Sequence, residues 1–232
     1  QALQGIGAAR LAARDLRGAA EWLEQAVACP RGPGDEQFRG EALANLGTLS
    51  WQRGDNERAA SLWQEALDLF ANSLWPEHPT VAQVRSNYGL CLQNQGRHRE
   101  AAAMFTAARD LFTRLRGATS PDVANAELKI GFLCIDMGDA ASAQQAFDRC
   151  LEIRRARFGN DAQQVQAVLQ AIGYLRLQQE QWPQALTVLD EAVALRTAKL
   201  PANHRDVQDG QLLRARALLG LQRPAEAEPL LR

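Results

Sequence analysis

A period of 42 residues runs through the chain and restricts its fold more than any other feature. Small residues stand 40 residues apart at the first step and 42 apart at the four later steps. They are Gly7, Gly47, Gly89, Gly131, Gly173 and Ala215. An Ala follows each of them after twelve residues, and a large apolar residue stands four positions later. A fixed period of this length is typical of arrays in which each repeat packs mainly against its neighbours.

The pattern within one period predicts two antiparallel helices. Only a small side chain leaves room where two helices cross closely, and a large side chain one turn further on fills the remaining space. Gly54, Gly96 and Gly138 fall between the two predicted helices, where glycine suits the left-handed conformation that ends a helix. Pro183 and Pro224 fall at the first turn of a second helix, where proline is tolerated. We expect helices of about 15 to 19 residues and no β-strand.

The third period carries a family resemblance. It reads His78-Pro79-Thr80-Val81-Ala82 at the start of its first helix and Asn87-Tyr88-Gly89-Leu90 in the middle, and Asn94-Gln95-Gly96-Arg97 spans the turn. The chain resembles the tetratricopeptide repeat family in its 42-residue form, familiar from kinesin light chains and many bacterial proteins. The resemblance implies an all-α, right-handed superhelical solenoid of antiparallel helix pairs, with about six repeats, the last of them incomplete.

The resemblance covers essentially the whole chain and suggests a single solenoid domain. The expected repeats are 1–34, 35–76, 77–118, 119–160, 161–202 and 203–232. The first repeat is shorter and has Arg14 where a turn glycine is usual. The sequence begins and ends inside helix-like patterns, so we interpret it as a fragment of a longer chain. Its basic residues are almost all Arg, which favours a bacterial, GC-rich source.

Charge and apolar content limit the classes of partner that we expect for this chain. The formal net charge is -1, whereas proteins that bind nucleic acid or anionic membranes usually carry a large basic excess. No stretch of the sequence is apolar enough to cross a bilayer. We therefore expect a protein or peptide partner, no nucleic acid and no direct membrane contact by this chain.

In the resembled family the first helices line a concave groove, and helical spacing then selects the inward-facing positions. The groove residues that we predict to bind a partner are Trp51, Gln83, Asn87, Asn94, Phe132, Gln170, Tyr174 and Arg216. Other inward-facing positions of the last three repeats are Asn125, Leu128, Ile135, Asp136, Ala167, Leu177, Gln178, Asp209, Leu212 and Leu219. Amides at such positions suit a peptide backbone, since they both donate and accept hydrogen bonds.

Four apolar positions, Phe132, Ile135, Tyr174 and Leu177, form a cluster that could hold an apolar anchor of the partner, because aromatic residues are typical of interface hot spots. The alternative is that these residues pack against neighbouring helices, and for Ile135 and Leu177 the two interpretations are evenly balanced. For Asn87, Asn94 and Gln170 the alternative is a solvated polar face. Asn87 and Asn94 resemble the groove amides of kinesin light chains.

Structural roles explain the histidines, cysteines and tryptophans better than chemical roles do. His78 and His204 stand three periods apart, so a shared metal site is not expected, and each is predicted to help start a first helix. His98 is placed in a turn between helices. Cys29, Cys91, Cys134 and Cys150 fit neither a zinc spacing nor a disulfide framework, so we interpret them as buried core residues, without a disulfide between Cys134 and Cys150. Trp22, Trp75 and Trp182 are expected to be structural.

No catalytic signature is found in the sequence: it lacks GxxxxGK[ST], HExxH and GxSxG. We therefore expect no enzyme activity, no cofactor and no metal. Three functions remain open. They are a scaffold that binds a protein or peptide segment in its groove, a regulatory or sensory module of a larger bacterial signalling protein such as a serine/threonine kinase, and an oligomerisation module that self-associates through uncapped ends. Unpaired cysteines favour the cytoplasm, and a sensor domain of a membrane protein would instead be periplasmic.

Overall fold

The computed structural model describes residues 2, 5–7, 16–29, 32, 35–71, 77–201 and 203–231. The chain divides into two compact units, Gln1–Gly117 and Ala118–Arg232, and each is described by itself. All regular secondary structure in the described residues is helical, as predicted. The expected single domain of six repeats stays a prediction.

Unit 1 consists of helices that pack in consecutive pairs. They are α1 (Leu16–Ala28), α2 (Glu36–Gln52), α3 (Asn56–Ala71), α4 (Pro79–Asn94) and α5 (His98–Arg116). Residues 5–7 are helical as well. Helix α2 packs along α3 and α4 along α5, while the contacts of α1 with α2 and of α3 with α4 join successive repeats.

Unit 2 repeats the same arrangement. Its helices are α6 (Pro121–Asp136), α7 (Ala140–Phe158), α8 (Gln163–Gln178), α9 (Trp182–Thr197), α10 (Arg205–Gly220) and α11 (Pro224–Ala227), followed by a 3-10 turn (Glu228–Leu230). The first helices of successive repeats also touch, since α8 contacts both α6 and α10. Helices α2 to α10 each have 16 to 19 residues, which confirms the predicted lengths.

The predicted close crossing is present inside the repeats. An ideal Cβ placed on Gly47 would lie 2.6 Å from Nε1 of Trp63, and one placed on Gly173 would lie 2.5 Å from Cδ2 of Leu189. The Trp63 indole also donates a hydrogen bond of 3.1 Å to the carbonyl oxygen of Ala44. The large residue sixteen positions after the glycine therefore rests directly on the glycine backbone, where any larger side chain would collide with it.

The turns inside the repeats require a left-handed residue at one position. Gly54, Gly96 and Gly138 have φ angles of 82°, 74° and 74°. In the last two repeats the same conformation is adopted by Glu180 (φ 57°) and Gln222 (φ 60°). A side chain there is strained, because Cβ crowds the following carbonyl in the left-handed region. Pro183 and Pro224 lie in the first turns of α9 and α11, as predicted.

The predicted role of the two histidines at helix starts is confirmed. The His78 ring accepts a hydrogen bond of 3.3 Å from the backbone N–H of Thr80, and the His204 ring accepts one of 3.2 Å from that of Asp206. His98 was placed in a turn, but it is the first residue of α5.

Two buried arginines join successive repeats of unit 2. Arg154 donates to the carbonyl oxygen of Gln164 (2.7 Å) and to Oδ1 of Asn125 (2.8 Å). One period later, Arg196 donates to the carbonyl oxygen of Asp206 (2.6 Å). Each guanidinium thus ties a second helix to the start of the next first helix, and burial lowers the pKa of Arg196. Buried arginines are rare unless they are paired in this way.

The prediction that all four cysteines lie in the core is wrong for Cys29, which is exposed just after the end of α1. Cys91 and Cys150 are buried, Cys134 is half-buried, and all four are free thiols. Cys29 lies beyond the last residue of α1, so it is outside the helix that packs against α2. Arg14 and Trp75, to which the sequence also drew attention, lie outside the described residues. Within the described part of the chain, no helix is long and apolar enough to cross a membrane.

Candidate functional site

In unit 1 the predicted polar groove residues lie on one helix. Gln83, Asn87 and Asn94 are on α4, with Gln83 and Asn94 exposed and Asn87 half-buried. The Gln83 amide donates to Oδ1 of Asn87 over 2.9 Å, because the two side chains are one turn apart. This bond orients the Asn87 amide through its oxygen, and the NH₂ group of Asn87 takes no part in it. The surface offers amide donors and acceptors.

Trp51 lies on α2 and is half-buried. Its ring packs against the buried ring of Trp63, with centroids 6.0 Å apart and planes tilted by 46°. A tilted aromatic pair at this separation is favourable. Trp51 therefore presents one part of its ring to solvent on a rigid support.

In unit 2 the structure brings three of the predicted residues together. Phe132, Gln170 and Tyr174 line one open cavity of about 350 Å³. The other lining residues are Leu128, Ala167, Ala171 and Leu213. Helices α6, α8 and α10 all contribute, so the cavity lies where the first helices of three successive repeats meet. Its wall is almost entirely apolar and includes one amide and one phenol.

The repeat explains why these side chains converge. Phe132 and Tyr174 stand one period apart, as do Leu128 and Gln170, so each pair occupies the same position on adjacent first helices. Ala167 and Ala171 are small, and a small side chain on α8 leaves space between the larger neighbours. The Phe132 ring is 39% exposed and stands edge-on against buried Phe147, with centroids 5.4 Å apart. The cavity wall is thus supported by the core behind it.

The predicted apolar cluster needs one correction. Leu177 is only 2% exposed and packs with Ala185, Leu189 and Ala217, so it is a core residue and does not face a partner. Ala185 and Leu189 on α9 of the same repeat and Ala217 on α10 of the next repeat cover it. Ile135 is half-buried and does not line the cavity.

Arg216 lies one period after Tyr174, on α10, and is exposed. It does not line the cavity. It makes no ion pair or side-chain hydrogen bond with any residue that the structure describes. The other arginine of the same helix that flanks it, Arg214, pairs with Asp190. Arg216 is therefore a positive charge available at the edge of this surface.

Two lining residues were missed by the sequence analysis. Ala171 and Leu213 occupy the same position in successive repeats, one residue after Gln170 and Leu212. The period could have identified them, since a position that faces the previous repeat in one repeat does so in the next repeat as well. A helical-wheel selection of one inward stripe excluded them because they lie at its edge.

Desolvation disfavours the thiolate form of three of the cysteines. Burial raises the pKa of Cys150 to about 11, and it also raises the pKa values of Cys91 and Cys134 above their ordinary range. A thiol with a raised pKa is mostly protonated at neutral pH and is a poor nucleophile. Among the described residues, no group of three or more His, Cys, Asp and Glu side chains is arranged to hold a metal ion.

Sequence comparison identifies the family. The tetratricopeptide repeat matches residues 38–114, 80–156 and 122–198, and a second model of the same repeat matches residues 171–232. The matches together cover far more than half of the chain, so it belongs to the tetratricopeptide repeat family. Repeats of this family form protein-interaction scaffolds, and their fold is typically non-catalytic. None of the curated protein sequences compared matches the chain.

Solved structures share the fold at low sequence identity. BtubC (BKLC) from P. vanneervenii is 18% identical with a TM-score of 0.77, over 94% of this chain and 87% of that one. A putative kinesin light chain from Podospora anserina with nearly identical repeats is 18% identical with a TM-score of 0.72, over 83% and 91%. The Rap conjugation gene regulator of the plasmid pLS20, solved with the Phr* peptide, is 16% identical with a TM-score of 0.65, over 84% and 52%. At such identities the similarity establishes the fold alone.

Proposed function

We propose that this chain is a scaffold that binds a segment of a protein or peptide partner on the face formed by its first helices. The observation that carries the proposal is the cavity lined by Phe132, Gln170 and Tyr174. Ligand pockets typically have volumes of about 300–1,000 Å³, mostly apolar walls and a few polar groups. An apolar side chain of the partner would fill the cavity, and the Gln170 amide would bond to the backbone beside it.

The polar surface of unit 1 supports the same function. The exposed amides of Gln83 and Asn94 and the oriented amide of Asn87 could bond to peptide groups without selecting their side chains. The similarity to the Rap regulator solved with the Phr* peptide is consistent with a peptide ligand.

The test compares two phenylalanines with almost equal exposure on different faces. Phe132 is 39% exposed in the cavity wall, and Phe158 is 40% exposed at the end of the second helix α7. The immobilised protein and its Phe132→Ser and Phe158→Ser variants would each capture proteins from a lysate of the source cells. We expect one set of partners to be retained by the wild type and by Phe158→Ser and to be lost with Phe132→Ser.

A double variant that changes one predicted residue in each unit provides a second test. The double variant Asn87→Ala/Tyr174→Ala should also lose the partner while keeping the helical circular dichroism of the wild type. Undiminished capture by both Phe132→Ser and the double variant would exclude the first-helix face as the binding site.

A second candidate function is a regulatory or sensory module that binds a segment of the same signalling protein. The similarity to a gene regulator favours it, because that protein is itself regulatory. Comparing this chain alone with a longer signalling protein that contains it would distinguish the two functions. An intramolecular ligand would compete with captured partners and reduce their binding, whereas a scaffold for a separate protein would bind them equally well in the longer chain.

A further inference from the structure

One face of α10 carries an exposed stripe of leucines and charged residues. Asp209, Leu212, Arg216 and Leu219 follow one another at steps of three, four and three residues, so they lie on the same side of the helix. Leu212 and Leu219 are 51% and 48% exposed, and Asp209 and Arg216 are exposed as well. None of the four lines the cavity. Steps of three and four residues are the spacing with which one helix packs along another.

The preceding repeat indicates which kind of element covers such a position. Leu219 lies one period after Leu177. Leu177 is 2% exposed, and the residues packed on it include Ala217 of the following first helix. On α10 the same position is half exposed. An exposed leucine at a position that a helix helps to cover one repeat earlier favours a helix, rather than an extended peptide, as the occupant of the stripe.

The charges make the stripe complementary to a second copy of itself. Asp209 stands three residues before Leu212, and Arg216 stands four residues after it. When two α10 helices pack antiparallel with the two Leu212 side chains in contact, Asp209 of each copy comes opposite Arg216 of the other. In a parallel pair Asp209 would face Asp209 and Arg216 would face Arg216. Like charges placed opposite each other are unfavourable, so the antiparallel pairing is the matched one.

Both charges are available for such a pair. Arg216 makes no ion pair or side-chain hydrogen bond with any residue that the structure describes. Asp209 lies 3.9 Å from Arg205, whose side chain is 89% exposed, and the Asp209 side chain is itself 54% exposed. Exposed ion pairs contribute little, so Asp209 is free to take a second partner. Covering Leu212 and Leu219 removes water from the new pairs and strengthens them, because the effective dielectric constant falls.

We propose that a second copy of this chain occupies the stripe, so that two copies form a two-fold dimer through antiparallel α10 helices, with Leu212 at the axis and an Asp209–Arg216 ion pair on each side of it. The inference goes beyond the proposed function and does not depend on it. A helix of 16 residues is about 24 Å long, so the contact is small beside the roughly 1,600 Å² of a standard interface, and association is weak. The dimer joins two copies of the cavity, which raises the avidity for a partner that carries two binding segments.

Sedimentation equilibrium of the whole chain, from low-micromolar to millimolar concentrations, measures this association. We expect a monomer–dimer equilibrium without larger species. Asp209→Arg and Arg216→Glu should each weaken the dimer about tenfold or more, because each places like charges opposite one another. Leu212→Glu should weaken it as well, since it brings two carboxylates together at the axis. The matched control Arg157→Glu reverses an exposed charge on α7 and should leave the dimer unchanged.

A mixture of the two charge-reversal variants tests the antiparallel register. In a dimer of Asp209→Arg with Arg216→Glu, the introduced arginine faces the introduced glutamate, and the remaining Arg216 faces the remaining Asp209. The mixture should therefore restore dimers that neither variant forms alone at the same concentration. Restored association also shows that both variants are folded.

The contrary outcomes are distinct. Wild-type protein that stays monomeric at all these concentrations would overturn the proposal. So would a dimer that survives Leu212→Glu or either charge reversal, since another surface would then hold it together. A mixture that fails to associate would reject the antiparallel register, and assemblies that grow beyond two copies would indicate head-to-tail stacking instead of a closed dimer. None of these results changes what the Phe132→Ser capture experiment reports, so the proposed function stands or fails separately.

Discussion

Gly89 and Phe105 approach so closely that a methyl group on Gly89 would overlap the ring: its ideal Cβ would lie 2.6 Å from Cε1 of Phe105. The contact joins the first and second helices of one repeat, α4 and α5. Phe105 is fully buried and has little freedom to move aside. The pairing of a glycine with a large residue sixteen positions later is thus what sets the distance between the two helices.

Replacing Gly89 by Ala should destabilise the protein by about 1 kcal/mol. Overpacking a core typically costs 1–3 kcal/mol, and the better helix propensity of Ala returns about 1 kcal/mol. The sign should reverse in a Phe105→Ala background, where the ring is gone and only the propensity gain remains. Urea denaturation of the four proteins of this cycle measures the coupling. Equal effects of Gly89→Ala in both backgrounds would contradict the close contact.

The left-handed conformation of Glu180 predicts a stabilising substitution. Glu180→Gly should raise the free energy of unfolding by about 0.5–1 kcal/mol, because glycine avoids the Cβ strain at a φ of 57°. The reciprocal change, Gly138→Ala, should lower it by about 1 kcal/mol at the equivalent turn, where φ is 74°. Thermal unfolding of both variants provides the comparison. A destabilised Glu180→Gly would mean that the Glu side chain contributes more than its strain costs.

Arg154 should contribute more to the free energy of unfolding than an exposed arginine on the same helix. Arg154→Met keeps most of the apolar stem but removes the bonds to the Gln164 carbonyl and to Asn125. We expect a loss of about 2 kcal/mol, since a hydrogen bond from a charged donor contributes about 1.5–3 kcal/mol. Arg157→Met, on the exposed surface of α7, should change stability by less than about 0.5 kcal/mol. Similar values for the two variants in chemical denaturation would show that the bonds of Arg154 add nothing.

Cys150 should make the protein less stable at alkaline pH. Burial raises its pKa from 9.0 to about 11, so between these values the thiol ionises in the unfolded chain and stays protonated in the fold. The stability that the protonated Cys150 thiol contributes is therefore complete below pH 9 and is lost as the pH rises through 11. By pH 10.5 the wild type should have lost about 1–2 kcal/mol more than Cys150→Ala.

Cys150→Ala is a conservative reference, because Ala66, Ala108 and Ala192 occupy the same position in other repeats. All three of these alanines are buried, so the variant should fold in the same way. Parallel stability curves of wild type and variant from pH 8 to 11 would contradict the buried, protonated state of the thiol.

Much of the fold could be predicted because its rules act within one repeat. The glycine at the crossing, the large residue sixteen positions on and the turn residue between them are close in sequence, so a period exposes them directly. The histidines at helix starts were predictable for the same reason. Glu180 and Gln222 show the limit of this approach, since neither residue type indicates the left-handed turn that its place in the repeat imposes.

The candidate site depended on relations between repeats. Helical spacing selected Phe132, Gln170, Tyr174 and Leu177 as equivalent inward-facing residues, yet the first three line a cavity and Leu177 is buried against Ala185, Leu189 and Ala217. Whether an inward residue is covered depends on the side chains of the neighbouring helices, and a wheel drawn for a single helix does not include them.

The sequence by itself determined the all-helical repeat, the pairing of helices, the positions of their turns and the family, because backbone conformation and close crossing depend on residues within about twenty positions. Only the tertiary structure decided that the cavity opens between α6, α8 and α10, that Arg154 and Arg196 are buried between repeats, and that Cys29 is exposed. These outcomes depend on packing between residues that are far apart in the chain. The neighbours that the fold places beside a side chain decide whether it is buried, paired or exposed.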